Sequence, residues 1–482
     1  MIHETLQSIC HFGVARCDIT PPVGIYHRMW GAATHDRATG VHRPLLASAV
    51  FFEPLNDSKT GCRVIITLDH CLLGDAEIQL LRSTITRLGQ IADEQLMITF
   101  THTHGAGLMS LDRAGLPGGE LIEPYLCEVA QCCGRLVAEA KANACEATVA
   151  YGVGRCSLAA NRDFYDAERK EFVCGFNPDA AVDDTVVIAR VTDEQGQTVA
   201  TFVNYACHPT TLAWDNQLIS PDYIGALRET VERDTSAAPC IFLQGASAEL
   251  GPREGFVGNV EVADRNGRQL AYAVLEALTA LPPPRTSYRY QGATISGATL
   301  GTWKYEPMNE SRAQRVSFAA CLSQSLKLQY RADRPSRSDV EKTLATQQQI
   351  ERDALSAGKT EQARDARAMM ERQTRMLRRM DELPKEHYPY LIQGLRLGDA
   401  IWLGVPGELY SELQTSLRRQ FPNNAIIVIT LVDGWGPSYI VPQEIYGQGL
   451  YQESVAVLAP GTFEQIVDAA GTLIASLMEP AS

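Results

Sequence analysis

The sequence has no apolar run long enough to cross a bilayer, and its N-terminus has no basic start followed by an apolar stretch. A transmembrane helix needs roughly 20 consecutive apolar residues, and a secretory signal needs the second pattern. We therefore expect a cytoplasmic protein without a transmembrane segment. The chain has 13 cysteines but no pair separated by two residues. This usage fits reduced, mostly buried thiols in the cytoplasm.

The chain also lacks a surplus of positive charge. It has 43 Lys and Arg against 57 Asp and Glu, which gives a formal net charge of -14 at pH 7. An acidic surface repels phosphate backbones, so nucleic acid is not an expected partner. The composition, with 45% hydrophobic and 21% charged residues, is that of a globular protein with a sizeable core.

Four common catalytic signatures are absent. The sequence contains no Gly-x-Ser-x-Gly, no His-Glu-x-x-His, no Walker loop and no Gly-x-Gly-x-x-Gly after a strand. These absences argue against an α/β-hydrolase with a serine nucleophile, a zincin, an ATPase and a dinucleotide enzyme.

Short apolar runs that end in polar clusters are the main pattern present. They predict buried strands, and helical patterns separate most of them. The helices are predicted at residues 76–88, 124–142, 224–234 and 262–278. We therefore expect an α/β fold with a mixed, largely parallel sheet flanked by helices. In such sheets the ligand site lies beyond the carboxyl ends of the strands.

One charged stretch differs from the rest. Residues 336–386 have helical periodicity on both sides of Gly358 and predict an antiparallel helical hairpin. Leu355 and Met369 are among the residues expected to form its packing seam. We interpret residues 1–482 as a single domain with this hairpin inserted into it.

The motif Thr101-His102-Thr103-His104 follows a predicted strand. If the strand continues, His102 and His104 project from the same face, where two imidazoles suit a transition metal. A pair of hydrogen-bonded loop histidines is the alternative at this point.

His208 also follows a strand, and Pro209 restricts its backbone to an extended shape. Glu408 lies between a Pro-Gly turn and a predicted helix. Each has a structural alternative: His208 as a packed histidine, and Glu408 as an acid favoured by a helix dipole.

Further candidates lie near other strand ends. Asn161 and Arg162 could clamp an oxyanion or form a surface ion pair. Asp69 could hold a ligand-binding side chain in place without touching the ligand itself. A loop rich in Gly and Pro carries Tyr439, with Tyr446 beyond it, and such loops often line active sites.

Taken in order, these blocks resemble the N-terminal catalytic domain of the neutral/alkaline non-lysosomal ceramidase family. The resemblance rests on the blocks GVARCDITPPVG, THTHGAG, NYACHPTTL, LISPDY, LQGASAELGP and VPGE, and on the block from Tyr439 to Tyr451. It runs with gaps from about residue 13 to 455.

This resemblance implies a zinc ion and a role for each matching residue. The implied zinc ligands are His102, His208, Glu408 and Tyr439. His104 and Arg162 are the implied catalytic residues, and Tyr446 is an implied substrate-binding residue. Asn161 and Asp69 join it as predicted substrate-binding residues.

Three departures from the family pattern bear on function. Gly251 occupies the position of a family serine, which excludes a serine nucleophile there. A C-terminal immunoglobulin-like domain is not expected in this chain, and the charged hairpin is an addition. These departures put ceramide in doubt as the substrate but leave the metal chemistry intact.

The resulting primary hypothesis is a zinc-dependent hydrolase that cleaves an N-acyl bond with a metal-bound water. Its partner would be a small-molecule or lipid-like N-acyl substrate, and homo-oligomerisation stays open. One alternative is a zinc hydrolase of a small polar amide, ester or sugar-derived compound. Another is a non-catalytic binding protein with a degenerate site.

Overall fold

A computed structural model describes residues 1–55 and 61–479. The helices of these residues are α1 (Asp75–Gly89), α2 (Ile122–Ala142), α3 (Tyr223–Asp234), α4 (Val260–Thr279), α5 (Glu310–Val316), α6 (Arg337–Ser356), α7 (Thr360–Glu382), α8 (Glu412–Gln420), α9 (Tyr451–Val455) and α10 (Thr462–Met478). The strands are β1 (Ile2–His3), β2 (Gln7–Asp18), β3 (Gly40–Val41), β4 (Leu46–Glu53), β5 (Arg63–Leu68), β6 (Leu96–Phe100), β7 (Cys145–Arg155), β8 (Ala159–Asn161), β9 (Asp163–Asp166), β10 (Glu171–Cys174), β11 (Thr185–Asp193), β12 (Thr198–Tyr205), β13 (Leu218–Ile219), β14 (Cys240–Gln244), β15 (Leu250–Pro252), β16 (Thr286–Ile295), β17 (Thr299–Pro307), β18 (Ala319–Leu328), β19 (Tyr388–Leu397), β20 (Ala400–Gly404), β21 (Glu408–Leu409), β22 (Ala425–Ile429) and β23 (Tyr439–Ile440).

The largest sheet has eight strands in the order β14-β12-β11-β7-β2-β4-β5-β6. Only the two outermost pairs, β14 with β12 and β5 with β6, are parallel. Helices α3 and α1 make the crossovers of these two pairs, whereas the central strands pair antiparallel. The predicted mixed α/β fold is therefore confirmed, but its parallel character is limited to the edges of this sheet.

A second sheet of four strands, ordered β18-β19-β20-β22, packs against one face of the first. Trp402 of β20 is fully buried between the two sheets, with its ring 5.2 Å from that of Phe52 and 5.0 Å from that of Phe202. Alternate residues of β12 point to opposite faces of the sheet, so this one strand packs against two layers. Phe202 faces this inter-sheet core, whereas Val203 faces the helices on the other side.

Helices cover both outer faces of the paired sheets. Helices α1 to α4 pack on the eight-stranded sheet, and α8 and α10 pack on the four-stranded sheet. The layers are thus helix, sheet, sheet and helix. Because β6, β12, β20 and β22 all contribute to this stack, the loops that follow them can meet at one end of it.

The charged stretch forms α6 and α7, which pack against each other. Gly358 joins them in the left-handed conformation, at φ 71°. The predicted seam is wrong in detail, because Leu355 is 61% exposed and Met369 is 38% exposed. Small side chains such as Ala354 and Ala363 are buried instead, which lets the helices approach closely.

Two further findings concern the cysteines and the helices. Cys17 and Cys132 form a disulfide between β2 and α2, so the expectation of reduced thiols does not hold for this pair. Among the helices of the described ranges, none is both long and apolar enough to cross a membrane.

We predict that Trp402→Ala lowers the free energy of unfolding by about 3–5 kcal/mol, because it leaves a large cavity between the two sheets. Denaturant unfolding followed by intrinsic fluorescence measures this loss. Tyr272→Ala, at a side chain that is 61% exposed, is the matched control and should change stability by no more than about 0.5 kcal/mol. A loss below about 1 kcal/mol for Trp402→Ala would contradict the shared inter-sheet core.

Candidate metal centre

His102 lies just beyond the end of β6, in a strained part of the backbone. Its φ of 67° is in the left-handed region, so the strand does not continue through the motif as the alternation argument required. A non-glycine residue in this conformation is costly and persists where surrounding contacts hold it. Here the His102 amide donates to the carbonyl of His70 at 2.9 Å. Its ring Nδ1 bonds the Cys71 carbonyl at 2.8 Å, which aims Nε2 the other way.

His208 follows β12 and is oriented in the same manner. Its Nδ1 lies 2.7 Å from the Ser247 carbonyl and 3.1 Å from the Leu250 carbonyl. These contacts place the proton on Nδ1 and leave Nε2 as the acceptor. Backbone support of this kind is what orients histidines that bind metals.

The two histidine loops are joined through their backbones. The His104 amide donates to the Pro209 carbonyl at 3.4 Å, and the Ser220 amide donates to the Gly105 carbonyl at 2.9 Å. Gly105 is required by this approach, because a Cβ there would lie 2.7 Å from the Ser220 carbonyl oxygen.

Glu408 and Tyr439 are neighbours by strand register. They are directly paired in the short parallel ladder of β21 and β23, and the Glu408 amide donates to the Ser438 carbonyl at 2.9 Å. Glu408 is therefore a strand residue, since helix α8 begins only at Glu412. This placement removes the helix-start alternative for its carboxylate.

These residues converge on one carboxylate oxygen. Oε2 of Glu408 lies 3.0 Å from Nε2 of His208 and 3.3 Å from Nε2 of His102. With the proton of His208 on Nδ1, the contact between Nε2 of His208 and the Glu408 carboxylate brings two lone pairs together, and Nε2 of His102 is buried without a hydrogen-bond partner among the described residues. The Tyr439 hydroxyl lies 3.4 Å from Nε2 of His208.

The electrostatics fit a site built to hold positive charge. Burial raises the pKa of the Glu408 carboxyl, but His102 and His208 outweigh it and hold that pKa well below its usual range. Burial lowers the pKa of His208 to about 4, and the Arg162 cation contributes to this shift. Burial also lowers the pKa of His102, but Cys71 and Glu408 outweigh it and raise that pKa well above its usual value. One buried carboxylate is thus balanced by a single cationic ring, a role that a bound cation could take over.

His104 points into the same space but does not contact Glu408. Its ring lies 5.0 Å from that of His102 and 5.1 Å from that of Trp30. Its Nε2 is buried and has no hydrogen-bond partner within the described residues. Burial holds the pKa of His104 well below its usual value, with the neighbouring histidines adding to the effect. The structure therefore holds His104 neutral, with a nitrogen free for a ligand.

Arg162 lies behind Tyr439 and outside the cavity lining. Its guanidinium donates to the Ala248 carbonyl and, at 3.0 Å, to the Tyr439 hydroxyl. Burial raises the pKa of Tyr439 well above its usual value, and Arg162 opposes that rise. Arg162 is placed to hold the Tyr439 oxygen and to favour its deprotonated form.

A cavity of about 270 Å³ opens onto this cluster. His102, His104, Glu408 and Tyr439 line one side of it. Helix α7 also contributes to the lining, through Ala368, Glu371, Arg372, Arg375, Met376 and Arg379. Met376 of α7 is therefore part of the cavity wall.

Three predicted substrate-binding residues do not line the cavity. Asp69 forms a buried ion pair with Arg228 and accepts a hydrogen bond from the backbone of Leu46. The Asn161 side chain accepts from the Asp163 amide of its own turn at 2.8 Å. The Tyr446 hydroxyl donates to the Leu458 carbonyl at 2.8 Å. In each case local structure uses the polar atoms that had suggested substrate binding.

Sequence patterns did not predict that Trp30, Cys71 and one face of α7 line the cavity. Trp30 and Cys71 have no motif around them that marks a site. The arginines of α7 recur at helical spacing, at positions 372, 375 and 379, which was the one available signal. A helix rich in charge is usually a solvated face, so only the fold assigns these arginines to a cavity.

The donor set fits a transition metal. Ligand atoms of His102, His208 and Glu408 lie within 4.8 Å of one another, and the buried, unpaired Nε2 of His102 lacks the partner that an ion would supply. Two imidazoles with carboxylate and phenolate oxygens suit zinc, and manganese or iron as well. Cys71, His102 and His104 form a second such group. The Cys71 sulfur, however, lies 3.5 Å from Nδ1 of His102, the nitrogen that already bonds the Cys71 carbonyl.

The chain resembles known proteins in sequence and in fold. Residues 11–241 match the family described as neutral/alkaline non-lysosomal ceramidase, N-terminal. No curated protein sequence matches the chain. A solved structure of neutral ceramidase from Pseudomonas aeruginosa superposes with a TM-score of 0.63 at 17% identity, covering 98% of this chain and 76% of the other.

A second structure, a ceramidase complexed with C2, gives a TM-score of 0.64 at 17% identity, over 98% of this chain and 77% of that one. At this identity the likeness establishes the fold alone. The resemblance expected from the sequence blocks is confirmed: residues 11–241 match the neutral/alkaline non-lysosomal ceramidase family, and the described chain has the fold of the neutral ceramidase structures.

Proposed function

We propose that this protein is a metal-dependent hydrolase that cleaves an N-acyl amide bond. One observation carries the proposal. The Nε2 atoms of His102 and His208 approach the same oxygen of Glu408, at 3.3 and 3.0 Å, while their Nδ1 atoms are held by backbone carbonyls. Buried nitrogen and oxygen lone pairs that converge in this way cost free energy unless a cation or a proton lies between them.

His102, His208, Glu408 and Tyr439 would hold the ion, and zinc is the metal we propose. When bound, zinc supplies Lewis acidity, which polarises a carbonyl and makes a water molecule more acidic. Arg162 supports the Tyr439 oxygen through its 3.0 Å hydrogen bond, and it acts as a positioning residue.

His104 is the residue we assign to proton transfer. Hydrolysis adds water across the C–N bond, so one proton must leave the water and one must reach the amine that departs. The neutral Nε2 of His104 is free to take the first and deliver the second. Trp30 lies against the ring at 5.1 Å and restricts water on that side.

The cavity favours the compact substrate of the alternative hypothesis over a long-chain lipid. Its volume of about 270 Å³ lies below the roughly 300–1,000 Å³ typical of pockets for drug-sized ligands. Helix α7 contributes to its lining. A compact amide fits this space, whereas a ceramide-like substrate would need an extended apolar groove.

We predict that His208→Ala abolishes both metal binding and hydrolysis. The wild-type protein, purified without chelator, should carry about one zinc ion per chain. The variant should lose most of this metal, and its kcat/KM should fall by more than about 100-fold, because even losing support behind a ligand costs about 10–100-fold. Elemental analysis and an N-acyl hydrolysis assay measure the two effects.

His3→Ala is the matched control, since His3 is an exposed residue of β1 and does not belong to the site. It should retain metal and activity. Full activity of His208→Ala, or wild-type protein free of metal yet active, would disprove the proposal.

We predict a different outcome for His104→Ala. Metal content should stay near that of the wild type, while kcat falls by about 10²- to 10⁴-fold through loss of general acid–base catalysis. Elemental analysis beside steady-state kinetics separates the two effects. Loss of the metal in this variant would instead make His104 a ligand and favour the group it forms with Cys71.

A further inference from the structure

Helix α7 brings three arginines to the wall of the metal cavity. Arg372, Arg375 and Arg379 follow one another at intervals of three and four residues, so they share one face of the helix. All three line the same cavity as His104 and Glu408.

Only one of these arginines has an acidic partner. Arg375 pairs with Glu371 at 2.9 Å, and Glu371 also pairs with Arg113 at 2.9 Å. Within the described residues, no carboxylate lies within 4.0 Å of Arg372 or Arg379. Arg372 instead donates to the Ser454 hydroxyl at 2.9 Å.

Arg379 is the most exceptional of the three. Its Nε is buried without a hydrogen-bond partner in the described ranges, and its one hydrogen bond runs to the Val455 carbonyl at 3.4 Å. The guanidinium lies over the Trp435 ring at 5.1 Å. Its neighbour Arg378, by contrast, pairs with Glu77 at 2.8 Å and with Glu382 at 2.8 Å.

The acids of α7 pair with other arginines and not with Arg379. Glu382 bonds Arg378 through Oε1, while its Oε2 has no hydrogen-bond partner in the described ranges. Glu371 is shared by two other arginines. Glu408 binds the proposed metal, which would neutralise its charge. Burial lowers the pKa of Arg379, with Glu408 the first of the groups that oppose the shift. Arg379 is half-buried, and a partly desolvated cation without an acidic partner costs folding free energy, so the cavity is suited to receive an anion.

We propose that the substrate carries an anionic group, a carboxylate, which binds to Arg379 with help from Arg372 while its amide lies at the metal centre. The substrate class is therefore a small N-acyl amide with a carboxylate, such as an N-acyl amino acid. This inference rests on the proposed function. It adds recognition of a carboxylate, a group that a neutral lipid amide does not carry.

The surroundings of Arg379 leave room for such a molecule. Arg379, Met376 and Val455 form a wall shared by the metal cavity and a larger outer cavity of about 720 Å³. A guanidinium at this boundary can bind a carboxylate through two parallel hydrogen bonds.

The test compares two substrates that differ only in charge. Zinc-loaded protein is given short-chain N-acyl amino acids and the corresponding N-acyl amino acid carboxamides. The wild type should hydrolyse the carboxylates with a kcat/KM at least about 10-fold higher, the size of one charged hydrogen-bond pair. Arg379→Gln should remove this preference, so that kcat/KM falls at least about 10-fold more for the carboxylate than for the carboxamide.

Three further variants separate recognition from folding. Arg379→Lys keeps the charge and should restore part of the preference. Arg372→Gln should weaken the preference less than Arg379→Gln. Arg364→Gln, an exposed arginine of the same helix, should behave as the wild type. Arg379→Gln should unfold at the wild-type temperature or above, because it removes a partly desolvated charge without an acidic partner.

Binding is measured separately, so that failure of the two proposals can be told apart. An N-acyl amino acid should raise the unfolding temperature of the zinc-loaded His104→Ala variant, and its carboxamide should not. Equal hydrolysis of both substrates, or a preference that survives in Arg379→Gln, overturns the anionic substrate. Selective binding of the carboxylate without hydrolysis by the wild type supports anion recognition and contradicts the hydrolase.

Discussion

The approach of two imidazoles to the Glu408 carboxylate is the interaction on which the rest of this site depends. A buried carboxylate is stable only with compensating charge or hydrogen bonds, and here Nε2 of His102 and Nε2 of His208 both face it, at 3.3 and 3.0 Å. Their rings are fixed by the carbonyls of Cys71 and Ser247. Packing of the loops after β6, β12 and β20 therefore serves one local purpose, which is to bring three side chains to a common point.

Much of the site was predictable because its residues follow strands. Apolar runs mark where β6, β12 and β20 end, and polar residues at those ends can meet in an α/β fold. Glu408 and Tyr439 could not be joined by such reasoning, since their pairing comes from a two-residue parallel ladder. The left-handed backbone of His102 also depends on tertiary contacts that leave no mark in the sequence.

The fold was predictable as a class but not as an arrangement. Helices such as α1 and α4 lie within two residues of their predicted bounds. The second sheet was missed because strands buried on both faces look alike whichever layer they occupy. The role of α7 was missed for another reason: Arg379 faces the cavity only because the hairpin packs over the metal centre, and its sequence is that of a solvated helix.

X-ray absorption at the zinc edge is the most direct test of the central claim, applied to chelator-treated protein reloaded with one equivalent of zinc. The account predicts nitrogen and oxygen neighbours alone, at about 2.0–2.2 Å. A sulfur neighbour at about 2.3 Å would move the ion to Cys71. That result, or failure of the protein to take up the ion, would contradict a centre built on His102, His208 and Glu408.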